Sequence, residues 1–81
     1  MSRLGEILRS RREHHNLTQQ ELSEKMGFST PQFISNVERG YKDVSMPVKH
    51  LRKLSKILGV KPKMLLDLYA EDYFNKIKGK L

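Results

Sequence analysis

The glycines and prolines of this chain cut it into short segments whose apolar residues recur at helical spacing. No stretch of β-branched residues alternates with the period of two that marks a half-buried strand. Such a chain is restricted to packed helices. Ser2 can cap a first helix that carries Leu4, Ile7 and Leu8 to about His14 or His15, and Asn16-Leu17 breaks it. Thr18-Gln19-Gln20-Glu21 is a capping box, with the Thr18 hydroxyl serving the Glu21 amide and the Glu21 carboxylate reaching back. Leu17, just before that cap, stands where a hydrophobic staple to Leu22 is expected, and Gly27 ends the second helix. Thr30 as cap and Pro31 at the first helical position open a third helix, which runs to about Arg39 and stops at Gly40. Ser45 with Pro47 opens a fourth, carrying Val48, Leu51, Leu54, Ile57 and Leu58 and closing at Gly59. Pro62 opens a longer fifth over about 62–78. The expectation is an all-α, compact five-helix domain with an extended C-terminal helix.

Leu, Ile, Val and Phe make up 22 of the 81 residues. That exceeds the roughly 20% below which disorder is the default, so the chain is expected to fold, as one domain over 1–81 with a small core. Cysteine is absent, which removes disulfides and thiolate chemistry together. No apolar run approaches the ~18 residues that span a bilayer, and the first residues lack a secretory signal, so a cytoplasmic protein with no membrane partner is expected. The net charge of +7 is unevenly spread: residues 1–40 hold six bases and five acids, residues 41–81 ten and four. Between 42 and 63, seven bases stand against Asp43 alone. A basic block of this kind suits a polyanion, nucleic acid first, although a solvated lysine face is the plainer alternative.

At about 100° per residue, Val37 and Glu38 of helix 3 lie within about 60° of Ile34, while Gln32, Ser35, Asn36 and Arg39 gather on the opposite side. Amides that donate and accept at once match the N6/N7 edge of adenine in the major groove, and arginine suits phosphate oxygens. An ordinary polar helix face would look the same. Arg12, however, falls on the i, i+4 row of Leu4 and Leu8, and Glu38 on the row of Ile34. Two opposite charges, each at a position that calls for an apolar residue, most simply meet. The pair is expected to fix helix 3 against helix 1.

The run Leu17-Thr18-Gln19-Gln20-Glu21-Leu22-Ser23, then Gly27, then Ile34-Ser35-Asn36-Val37-Glu38-Arg39-Gly40, resembles the helix-turn-helix of the lambda-repressor-like, Cro-type regulators of the XRE family. Leu51…Leu54…Ile57-Leu58-Gly59-Val60 is similar to that family's fourth helix and its exit. The resemblance covers about residues 4–68 and puts the helix-turn-helix at about 18–39. Phe28-Ser29-Thr30-Pro31 holds one residue more than the usual turn, so positions are counted back from Glu38-Arg39-Gly40. The resemblance implies a sequence-specific regulator, repressor or activator, of double-stranded DNA. It implies base reading by Gln32 and Asn36 with Phe33 and Ser35 beside them, and backbone contacts from Gln19, Thr30, Arg39, Tyr41 and Lys42. Phe33 has two readings, a contact to a thymine methyl group or a residue packed at the edge of the core.

The resemblance further implies a homodimer on a two-fold operator with half-sites about one helical turn apart. On helix 5, Met64, Leu65, Leu68 and Tyr69 span one arc, while Leu66, Tyr73, Phe74 and Ile77 occupy much of the other side. One small core uses only one arc, and the second is expected to meet a partner, with Leu81 extending it. A longer helix wrapping its own domain, or a break near Ala70, would account for the same residues. An antitoxin that grips a protein partner through this helix is the alternative function on the same fold. Catalysis finds no constellation: adjacent His14 and His15 point about 100° apart on a helix, a solvated helix end, and His50 stands alone among lysines. No enzyme activity, metal, cofactor or small-molecule ligand is expected, and control is expected to run through concentration and dimerisation.

Overall fold

The computed structural model describes residues 2–40 and 46–79. Among these residues the regular structure is five helices and no strand: α1 (Arg3–His14), α2 (Gln19–Lys25), α3 (Gln32–Glu38), α4 (Val48–Leu58) and α5 (Pro62–Lys78). Each contributes one buried row. Leu4 and Leu8 of α1, Leu22 of α2, Ile34 and Val37 of α3, Leu51, Leu54 and Leu58 of α4, and Leu65 and Leu68 of α5 form one core with Met26 and Met46. α3 packs against both α1 and α2, and α5 packs against α1 and α4.

The helix ends follow from local chemistry. The Ser2 hydroxyl accepts the Gly5 amide at 3.0 Å and caps α1. At the other end Asn16 adopts a left-handed φ of 56°, and the Asn16 and Leu17 amides turn back onto the carbonyls of Glu13 and Arg12. This double closure satisfies carbonyls that the last turn would otherwise strand. Thr18 and Glu21 form both halves of the capping box, at 3.0 Å each, and these bonds hold the Glu21 carboxyl below its ordinary range. Leu17 and Leu22 both pack in the core. Gly27, with φ 90°, repeats the double closure at the end of α2: its amide meets Glu24 and the Phe28 amide meets Ser23. A side chain there would meet the left-handed penalty.

One helix start differs from expectation. Thr30 does not cap α3. The first helical bond runs from the Ser35 amide to the Pro31 carbonyl, so Pro31 itself is the cap residue, and no side chain caps the helix. The longer turn uses Thr30 and Pro31 to complete the reversal, with Pro31 ψ at 1°, and the helix begins one residue later. At α4, the expected capping residue Ser45 lies outside the described residues; the helix starts directly after Pro47, which has extended backbone. α5 runs unbroken past Ala70 to Lys78.

One of the contacts that position α3 is between backbones. A Cβ built on Gly5 would lie 2.6 Å from the Val37 carbonyl oxygen and 2.7 Å from that of Glu38. Only glycine lets α1 come this close to the end of α3. Gly5→Ala should therefore destabilise the fold by about 1–3 kcal/mol, the usual range for overpacking. Helix propensity alone would make the same change stabilising by about 1 kcal/mol. Thermal or urea denaturation reads the sign directly.

Candidate nucleic-acid interface

α2 and α3 are joined by the turn at 26–31, and a bonded charge cluster ties both to the end of α1. Arg12 Nε donates to Glu38 Oε2 at 2.7 Å and Nη2 donates to Oε1 at 3.0 Å, a bidentate pair. The Arg12 side chain is 11% exposed and that of Glu38 5%. The third guanidinium nitrogen, Nη1, donates to the Leu17 carbonyl at 2.8 Å, which the left-handed Asn16 has turned toward it. Gln19 Nε2 donates to Glu38 Oε1 at 3.2 Å. The hydrogen bond from Glu38 raises the Arg12 pKa above its ordinary value against the opposing effect of burial. One carboxylate thus joins the end of α1, the first turn of α2 and the last turn of α3.

With Ile34, Val37 and Glu38 committed inward, α3 turns Gln32, Ser35, Asn36 and Arg39 outward; Gln32 and Arg39 are exposed, Ser35 and Asn36 half-buried. Gln32 Nε2 donates to Asn36 Oδ1 at 2.7 Å, one helical turn apart. That bond uses one donor and one acceptor of the pair and leaves Gln32 Oε1 as an acceptor and Asn36 Nδ2 as a donor outside it. Gln19 is half-buried at the flank of this face and Thr30 is exposed in the turn. Gln20 Nε2 donates to the Ser29 carbonyl at 3.3 Å and braces the turn. Tyr41 and Lys42 lie outside the described residues.

A helix-turn-helix family model matches residues 8–65, from the middle of α1 into α5. The chain belongs to the XRE-type, lambda-repressor-like helix-turn-helix family. It is a DNA-binding transcriptional regulator, and α2 and α3 are its helix-turn-helix. No curated protein and no solved structure matches it significantly. Among the described residues, no helix is long and apolar enough to cross a membrane. The family match stops at residue 65, so Leu66, Tyr73, Phe74 and Ile77, all exposed on α5, lie beyond it.

Three side chains in and around the helix-turn-helix make packing or hydrogen-bond contacts of note. Phe33 lies on the core side of α3, its ring centroid 5.0 Å from that of Phe28 and 5.5 Å from that of His50. His50 is likewise no solitary side chain among lysines: it stands edge-on to Phe28 at 5.3 Å, and its Nδ1 is buried without a hydrogen-bond partner. The three rings join the turn, the start of α3 and the start of α4. Burial, then Lys49 and Lys53, push the His50 pKa below its ordinary value. His15 also departs from a solvated end, since its Nε2 lies 2.8 Å from the Leu58 carbonyl at the end of α4. The signals for these contacts were thin.

Two measurements test how α3 is held. Arg12→Ala and Glu38→Ala should each cost ~3–5 kcal/mol, because each strands a buried charge, while Arg12→Met with Glu38→Leu should recover most of the loss; denaturant titration of the three variants decides it. For His50, the depressed pKa means that the unfolded chain takes up the proton more readily. Its contribution is complete above the unfolded value of about 6.5 and is lost as pH falls through the lower folded value. The melting temperature of the parent should fall more steeply from pH 7.5 to 5.5 than that of His50→Phe.

Proposed function

We propose that this protein is a cytoplasmic, sequence-specific regulator that binds double-stranded DNA as a homodimer on a two-fold operator, with α3 in the major groove. The observation that carries the reading is the coupled amide pair on the outer face of α3. Gln32 Oε1 accepts from adenine N6 and Asn36 Nδ2 donates to N7, while the bond between the two side chains ties one to the other. Glu38 holds one hydrogen of the Gln19 amide, and the other donates to a phosphate near the N-terminus of α2. Ser35 adds a contact on the same face. Thr30 and Arg39 hold the backbone from the two ends of α3, with Tyr41 and Lys42 beyond it.

The dimer is supported by α5. Leu66, Ala70, Tyr73 and Ile77 are exposed at spacings of four, three and four, which keeps them within about 60° on the helix, and Phe74 adjoins them. Tyr73 is 54% exposed and Phe74 66%. That is the seam of a helix pair, and a second copy of α5 is its simplest complement.

Random-site selection with footprinting tests the reading. The parent should select a two-fold site with half-sites about one helical turn apart. Gln32→Ala should cost about 1–3 kcal/mol and relax preference at one base pair per half-site. Phe74→Glu with Ile77→Glu should sediment as a monomer and lose the symmetric footprint. A parent that is monomeric at tens of micromolar and selects no symmetric site would hand α5 to another protein, as in an antitoxin.

A further inference from the structure

We infer that the two copies of α5 pair antiparallel, in the register that sets Leu66 on the partner's Ile77, Ala70 on the partner's Tyr73 and Asp67 beside the partner's Lys78. The inference rests on the homodimer reading and adds the arrangement of the two chains. Leu68 is the last buried residue of α5, and ten more follow it to Lys78, about 15 Å of helix at 1.5 Å per residue. Arg3 of α1 ties this stretch to its own domain through the Glu71 carboxylate, with Nη1 3.1 Å from both oxygens. Glu71 stands about 130° around the helix from the middle of the seam, so that tie leaves the seam open.

Shape and charge both choose the direction. The seam has its smallest residue, Ala70, next to its largest, Tyr73, at the middle, with Leu66 and Ile77 at the ends. In a parallel pair each residue faces its own copy, so two alanines leave a gap and two tyrosines crowd the next layer. With a two-fold axis crossing the helices between residues 71 and 72, each alanine meets a tyrosine and each leucine an isoleucine, and all four layers fill alike. Asp67 and Lys78 are eleven residues apart, which returns them to within about 20° of each other on one flank of the seam. Both are exposed, and neither forms an ion pair among the described residues. An axis across the helices brings this flank against the same flank of the partner. In the stated register Asp67 and the partner's Lys78 then differ by about 3 Å in height, and the pair occurs twice. A parallel pair brings opposite flanks together and turns Lys78 toward the partner's Lys76.

The chain has no cysteine, so introduced ones report the pairing directly. A disulfide needs Cα atoms within about 7 Å, and antiparallel pairing holds the two copies of residue 66, like those of residue 77, about 16 Å apart in height. Leu66→Cys and Ile77→Cys, each oxidised alone, should therefore stay free of covalent dimer, and an equimolar mixture left to exchange subunits should form it on a non-reducing gel. Covalent dimer from Leu66→Cys alone would show parallel helices and overturn the inference, as would a mixture that forms none. Charge gives a second readout that leaves the seam intact. Asp67→Lys and Lys78→Asp should each weaken the dimer on the order of tenfold by sedimentation, since a weak exposed pair is reversed at two places, and the two changes together should restore it. Circular dichroism of each variant should match the parent. Single changes that leave the dimer as it was, or a double variant weaker than either, would remove the proposed pair. If the parent is monomeric at tens of micromolar, the homodimer reading fails and this inference with it. If the parent is a dimer that Phe74→Glu with Ile77→Glu dissociates, the wrong cross-link defeats this inference alone.

Discussion

The buried pair of Arg12 and Glu38 is the constraint on which the placement of α3 depends. A helix of seven residues has almost no stability of its own in water, so its direction is set by what it touches. At an effective dielectric near 20, two charges about 4 Å apart gain about 4 kcal/mol of gross Coulomb energy, and desolvation offsets much of that. The net contribution to stability is therefore modest. What the pair adds over an apolar contact is direction: two parallel N–H···O bonds fix the carboxylate plane against the guanidinium plane. An aliphatic pair of similar volume could slide.

The same pair explains why the end of α1 has the shape it does. Arg12 needs an acceptor for its third nitrogen, and Leu17 supplies a carbonyl only because Asn16 adopts the left-handed conformation. The chain then enters the capping box at once, and Gln19 on the first turn of α2 comes within reach of Glu38. Gly5 completes the arrangement by letting the backbones of α1 and α3 touch at Val37 and Glu38. An ion pair, a chain reversal and a missing Cβ act on the same few ångströms of α3.

Much of this was legible in the residues. The capping box fixed the start of α2 because a side-chain bond at N-cap and N3 is a local event, independent of tertiary structure. The encounter of Arg12 with Glu38 was legible because a charge at an apolar row position has few tolerable fates. What was not legible depended on distances between elements. Pro31 rather than Thr30 stands at the cap of α3 because the extra turn residue is absorbed in the reversal, and no local rule says which side of a cap takes up an insertion. His50 is distant in sequence from Phe28 and Phe33, and a histidine among lysines gives no sign that two phenylalanines will meet it.

These findings give α3 two unlike anchors. Its C-terminal end is held by a guanidinium–carboxylate pair and a backbone contact. Its N-terminal end, where Gln32 stands, lacks a side-chain cap and leans instead on a ring cluster that contains a depressed histidine. Protonating His50 would place a charge between two phenylalanines and beside Lys49 and Lys53, in a site with no partner for Nδ1. The strain would fall on the end of α3 that carries the amide pair. Acid should therefore loosen the tilt of the reading face before it loosens the fold.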